Sequence, residues 1–172
     1  MKSYPIEKIR NICLLGHGGT GKTTLTEAML NLAGASDRLG KVADGTTVTD
    51  FDPEEIRRQI SINVGLCNLE WKGGKVNIID TPGYFDFEGE ILEGVRVADA
   101  AVIVVSGKPG VSVGTENVWK YCSEKKIAKV IFINRLDDEN SNFATVLNET
   151  REKFGNSVPL RGYEPRFIQI GL

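Results

Sequence analysis

The sequence predicts an α/β protein in three layers: a mostly parallel sheet with one antiparallel strand, and helices on both faces. Three observations carry this. Apolar runs of strand length alternate with stretches of helical period, the pattern of strands joined by crossover helices. The runs Ala100-Ala101-Val102-Ile103-Val104-Val105 and Lys129-Val130-Ile131-Phe132-Ile133-Asn134 are almost continuously apolar, as strands buried on both faces are. A glycine-rich loop, Gly-His-Gly-Gly-Thr-Gly-Lys-Thr-Thr at residues 16–24, stands between a strand pattern and a helix pattern.

The elements follow in chain order. Residues 1–8 are a short lead-in, and Ile9-Arg10-Asn11-Ile12-Cys13-Leu14-Leu15 is the first strand. After the glycine loop, Leu25, Met29, Leu30 and Leu32 recur at helical spacing. Residues 34–59 are rich in Gly, Asp, Thr and Arg with no sustained period, and a connection this long is normally disordered or functional. A strand at 60–66 then turns through Lys72-Gly73-Gly74 into Val76-Asn77-Ile78-Ile79-Asp80, an antiparallel hairpin. A glycine-bearing loop at 81–88 leads to a helix carrying Ile91, Leu92, Val95 and Val97. A helix from about 115 to 126 links the two buried strands. Residues 140–154 read as a helix with Phe143, Val146, Leu147 and Phe154 on one side, and residues 166–170 as a last strand.

At 172 residues the chain has the length of one domain with a single filled core. Its hydrophobic share of 41% and charged share of 26% are those of a soluble globular protein. A net charge of −2 supplies no basic field for nucleic acid or an anionic membrane. Lys120, Lys125, Lys126 and Lys129 form the only dense basic cluster and read as a solvated helix end. Cys13, Cys67 and Cys122 fit neither a disulfide framework nor a metal pattern, and Cys13 and Cys67 read as small buried hydrophobes. Without an apolar run of spanning length or a signal peptide, the expectation is a cytoplasmic monomer away from membranes.

The loop places Gly16, Gly21, Lys22 and Thr23 on the fixed positions of G-x-x-x-x-G-K-[ST]. Glycines let backbone N–H groups converge on an oligophosphate, and the following helix N-terminus adds its dipole. The candidate phosphate-binding residues are His17, Gly18, Gly19, Thr20, Gly21, Lys22, Thr23 and Thr24. Lys22 reaches the β- and γ-phosphates and the Thr23 hydroxyl sits on Mg²⁺, while the imidazole of His17 is expected to shape the loop. Asp80-Thr81-Pro82-Gly83 ends a buried strand, where Asp80 can hold Mg²⁺ through a water and Gly83 can offer its N–H to a γ-phosphate. At Asn134-Arg135-Leu136-Asp137 a carboxylate can accept hydrogen bonds from the N1–H and exocyclic amine of guanine, a pattern adenine lacks. The alternative there is a charged turn with Asp137 or Asp138 at a helix N-cap. Ser61 is a candidate Mg²⁺ ligand in the triphosphate state, in competition with Thr46, Thr47 and Thr49, which would make residues 34–60 an order–disorder switch. Trp71 and Trp119 read as packing residues, and Ser106 and Cys122 have no partner base.

With these residues assembled, residues 9 to about 160 resemble the GTPase domain of translational GTPases, most closely the elongation-factor-G group and its bacterial paralogues. The resemblance rests on the glycine loop, on Arg58-Gln59-Ile60-Ser61-Ile62, on Asp80-Thr81-Pro82-Gly83-Tyr84-Phe85-Asp86-Phe87, on Arg96-Val97-Ala98-Asp99-Ala100-Ala101 and on Asn134-Arg135-Leu136-Asp137. It implies a P-loop NTPase fold, binding of GTP and GDP with Mg²⁺, GTP hydrolysis, and a switch read by the ribosome.

Four departures bear on mechanism. Gly19 stands where the family has Asp, and Tyr84 where it has the His that positions the attacking water. A phenol can donate a hydrogen bond but cannot act as a cation, so Lys22, Gly83 and Tyr84 are expected to support only slow hydrolysis. Arg135 replaces the family's Lys beside the base, and Gln59 replaces a Gly next to Ser61. Nothing after Phe167 supplies the Ser-Ala loop that contacts guanine in the family, so the chain reads as a shortened single GTPase domain. Two rival readings remain: an interaction module that binds GTP and hardly hydrolyses it, and a P-loop ATPase or kinase.

Overall fold

The computed structural model describes residues 2–155. Among them, five strands form one sheet in the order β2-β3-β1-β4-β5. β1 (Ile9–Leu15) lies at its centre, parallel to β3 (Gly74–Asp80) on one side and to β4 (Ala100–Ser106) on the other. β5 (Ala128–Asn134) continues parallel beyond β4, and β2 (Gly65–Trp71) is the one antiparallel strand, paired with β3. The chain moves outward from β1 to β3 and then crosses back to β4. The strand order therefore reverses at the C-terminal ends of β1 and β3, where ligands collect in open α/β sheets.

The helices follow from the apolar stripes. α1 (Lys22–Leu32) lays Leu30 on one face of the sheet against Leu14, Leu69 and Ile78. α3 (Glu88–Val97), α4 (Val113–Glu124) and α5 (Phe143–Phe154) cover the other face, packing Ile91, Val95, Val118, Cys122 and Val146 on Cys13, Leu15, Ile79, Ile103 and Val105. Trp119 of α4 packs as expected, stacked on Phe154 at 4.4 Å between ring centroids. Leu32 and Val97 lie off these stripes and are exposed. Cys13 is buried and Cys67 half-buried.

Two elements differ from the sequence expectation, and a third cannot be compared. The strand placed at 60–66 starts at Gly65, because the amides of Ile62, Asn63 and Val64 donate to the carboxylates of Glu55 and Glu90 instead of entering a ladder. β5, expected to be buried on both faces, is an edge strand among the described residues, with Val130 and Phe132 exposed. The strand expected at 166–170 lies outside the described residues.

Residues 34–59 are ordered. They carry a single 3-10 turn (Val42–Asp44) and the short helix α2 (Pro53–Arg58), whose N-cap Asp52 accepts from Glu54 N and forms a capping box with Glu55. The segment is held onto α1 by Glu27, a fully buried carboxylate that accepts the N–H of Gly40 at 3.1 Å and of Val48 at 2.6 Å. Removing it would leave two amides unsatisfied together with a void. Glu27→Ala is expected to cost about 2–4 kcal/mol. Urea denaturation measures this, and amide exchange at Gly40 and Val48 should accelerate; a change below about 0.5 kcal/mol with unaltered exchange contradicts the assignment.

Candidate functional site

The glycine loop leaves β1 at Gly16, whose φ of +140° and whose hypothetical Cβ, 2.4 Å from the Val104 carbonyl oxygen, both demand glycine. Gly21 precedes α1 at φ +92°, and any side chain there would meet Asn134 Nδ2. That amide donates to the Thr20 carbonyl at 2.9 Å, so the end of β5 braces the glycine loop.

Lys22 folds back into the loop. Its Nζ donates to the carbonyls of Gly16 at 3.1 Å and His17 at 3.2 Å. Burial lowers its pKa to about 8, against the pull of Asp80 and Asp50. Asp80, at the end of β3, is buried completely, which raises its pKa to about 6 even though Lys22 and the hydroxyls of Thr23 and Thr49 oppose the shift. Thr49 donates to Asp80 Oδ2 at 2.9 Å, while Oδ1 is buried with no hydrogen-bond partner among the described residues. Thr23 Oγ1 and Ser61 Oγ stand 3.1 Å apart. Two hydroxyls, an orphaned carboxylate oxygen and the neighbouring carboxyl of Asp50 make an oxygen-rich donor set suited to a hard divalent cation.

A cleft of about 170 Å³ opens over this set, lined by Gly18, Gly19, Gly21, Lys22, Thr23, Thr24, Asp50, Ser61, Gly83, Tyr84 and Arg135 among others. Gly83 lies so close to the loop that a Cβ would fall 2.5 Å from Lys22 Nζ and 2.6 Å from Gly18 N. Tyr84 lays its ring against Gly18, where a Cβ would fall 2.7 Å from Cζ. A tyrosine at 84 and a glycine at 18 are thus sterically matched. His17 turns the other way: its ring packs 6.2 Å from Phe85 and 6.5 Å from Tyr84 and abuts Gly114 of α4. Arg135 adopts a left-handed φ of +56°, reaches Asp138 at 3.8 Å and borders the cleft. Asp137 is exposed beside it, outside the lining. Neither Asp137 nor Asp138 caps a helix, since Asn142 is the N-cap of α5 and accepts from Thr145 N.

Sequence reasoning missed Asp50, Glu27, Glu55 and Glu90. It named Thr49 only as a rival metal ligand, whereas Thr49 bonds to Asp80. A single carboxylate, in the aperiodic polar run or on a helix, carries no sequence signal of what its oxygens accept.

A glycine loop at the reversal point of a parallel sheet, closing on a buried lysine with a strand-end Asp beside it, defines a P-loop GTPase fold. The chain belongs to the elongation factor Tu GTP binding domain family, which matches residues 7–170. It is 42% identical over 150 residues to an elongation factor G-like protein of Mycobacterium tuberculosis, covering 87% of this chain and 21% of that one. It is 39% identical to the mitochondrial ribosome-releasing factor 2 of Scheffersomyces stipitis (93% and 19% covered) and 38% identical to elongation factor G of Granulibacter bethesdensis (99% and 25%). A solved structure from Thermus thermophilus superposes with a TM-score of 0.83 at 39% identity, over 86% of this chain and 22% of that one. The chain spans about a fifth to a quarter of the length of these relatives. No helix among the described residues is long and apolar enough to cross a membrane.

The close approaches give an immediate test. Gly83→Ala presses a methyl on backbone and is expected to lower stability by about 1–3 kcal/mol. Gly18→Ala meets first the swingable ring of Tyr84 and should cost less than about 1 kcal/mol. Thermal melting compares the two, and equal losses contradict the packing described.

Proposed function

We propose that this chain is the guanine-nucleotide switch of a translation factor, a single GTPase domain that binds GTP with Mg²⁺, hydrolyses it slowly and is read by the ribosome. The observation that carries the reading is the convergence of Lys22, Thr23, Ser61 and Gly83 on one cleft at the end of β1 and β3, with the carboxylate of Asp80 buried beside it. The family match supports a guanine nucleotide as the ligand, and the names of the relatives support translation as the setting.

In this reading Lys22 turns its Nζ from the carbonyls of Gly16 and His17 to the β- and γ-phosphates, beside the N–H groups of residues 18–24. Thr23 and Ser61 would offer their hydroxyls to Mg²⁺, and Asp80, with its unpartnered Oδ1, would help hold it through water. Bound Mg²⁺ neutralises charge on the phosphate oxygens. The Gly83 N–H meets the γ-phosphate and couples its presence to the loop leading into α3. Asp137 accepts from the guanine edge, Asn134 keeps the loop at the right height, and the Arg135 stem covers the base.

Hydrolysis in such a site is positioning and charge stabilisation. Tyr84 lies where the family has a His, and a phenol cannot take the positive charge that an imidazole can. Gly19 removes one more polar side chain from the loop. The intrinsic rate is therefore expected on the order of 10⁻³ per second. Single-turnover assays with and without ribosomes should show Tyr84→His raising the stimulated rate by about tenfold or more. An unchanged rate removes Tyr84 as the cause of slow chemistry.

Base selection has its own test. Asp137→Asn exchanges an acceptor pair for a mixed donor and acceptor, and is expected to move preference from guanine to xanthine nucleotides by about tenfold or more. Competition binding measures the ratio, and retained guanine preference contradicts the role of Asp137.

A further inference from the structure

Ser61 lies in a stretch without a β-ladder, so something else must hold its hydroxyl 3.1 Å from that of Thr23. One residue grips the chain on both sides of it. The backbone carbonyl of Glu55 accepts the N–H of Gln59 and, at 3.3 Å, that of Ile60. The carboxylate of Glu55 accepts, on Oε1, the N–H of Ile62 and of Asn63, both at 2.9 Å. Its other oxygen takes the Asp52 N–H at 3.2 Å and closes the capping box of α2. Ser61 is thus bracketed by four amides that end on a single residue, itself only 2% exposed.

We propose that Glu55 is a positioning residue for the Ser61 hydroxyl, an inference that rests on reading Ser61 as a Mg²⁺ ligand in the triphosphate state. A capping box needs the glutamate to reach only the N-cap amide, so the two bonds to Ile62 and Asn63 exceed what α2 requires. They fix the peptide that follows Ser61, and with it the direction in which the Ser61 side chain leaves the backbone. Bonds from amides to a buried carboxylate are charge-assisted, short and directional. Gln59, with its left-handed φ of +57°, lets the chain reverse from α2 into this grip. Asp50 also faces Ser61, so the hydroxyl has a carboxyl on one side and Thr23 on the other. Val64, held by Glu90 of α3 at 2.8 Å, anchors the far end of the stretch.

A structural role and a positioning role differ in which ligand they affect. The test measures binding of a non-hydrolysable GTP analogue and of GDP, each with Mg²⁺ and with EDTA, to the whole chain. Glu55→Gln keeps the side-chain length but replaces one acceptor oxygen by an NH₂ and removes the charge. It is expected to weaken the analogue about tenfold in Mg²⁺, and to leave the GDP and EDTA values within about twofold. Ser61→Ala should produce the same loss, and the double variant no further loss. Glu55→Asp, which keeps the charge and withdraws the acceptor, carries the same expectation and serves if Glu55→Gln melts below the assay temperature. Asp52→Ala removes the other half of the capping box and should lower the melting temperature without a Mg²⁺-selective effect. Losses shared equally by GDP and the analogue, or additive with Ser61→Ala, overturn the proposal. If Ser61→Ala weakens the analogue and Glu55→Gln does not, Glu55 alone is misassigned. If Ser61→Ala has no effect, the metal-ligand reading of Ser61 fails and the positioning role fails with it.

Discussion

The constraint on which the site depends is a lysine ammonium with almost no water around it. Lys22 is 6% exposed, and a charge so placed must be compensated by the protein. Two loop carbonyls accept from it, and Asp80 and Asp50 supply opposite charge. Each partner fixes a different part of the chain. The carbonyls hold the glycine loop curled over Nζ, Asp80 ties in the end of β3, and Asp50 ties in the polar segment after α1. Gly83 must lack a side chain because a Cβ would press on the Gly18 backbone, 2.6 Å from its N, with the same ammonium 2.5 Å away. The compensation is incomplete, with Lys22 still drawn to a lowered pKa and Asp80 to a raised one. In the proposed function, a polyphosphate and a divalent cation would complete that compensation.

Around this centre, carboxylates organise backbone that no ladder reaches. Glu27 takes amides from residues 40 and 48, Glu55 from 52, 62 and 63, and Glu90 from 64. The polar segment is therefore ordered without being part of the sheet. Structure held by side-chain acceptors can be released locally without disturbing β1, β3 or the two apolar clusters. That is the physical requirement for a segment that changes with its ligand while the scaffold stays fixed.

Much of this was legible in the sequence, for identifiable reasons. β1, the glycine loop and α1 combine a strand run, a fixed-spacing motif and a helical stripe, and each signal reinforced the next. The burial of β4 followed from its unbroken apolar run, and the hairpin of β2 and β3 from Lys72-Gly73-Gly74. The strand expected at 60–66 was misplaced because Ile60, Ile62 and Val64 alternate like a strand while their amides are taken by distant acidic side chains. Edge and centre were not separable for β5, whose composition matches β4 and whose exposure depends on strand order. The roles of Asp50, Glu27 and Glu55 were invisible, since a buried carboxylate, whether in the polar run or on helix α1, reads like any surface acid until its amide partners are known.

The central claim is the proposal that one cleft holds a phosphate cradle and a cation site, with the guanine-reading loop at its Arg135 border. Calorimetric titration of the whole chain with GDP, GTP, ATP and XTP, first with Mg²⁺ and then with EDTA, tests all three at once. The account requires selective binding of GDP and GTP that weakens markedly when Mg²⁺ is removed. Binding indifferent to the base would contradict the role of Asn134, Arg135 and Asp137. Binding indifferent to Mg²⁺ would contradict the cation site built from Thr23, Ser61 and Asp80.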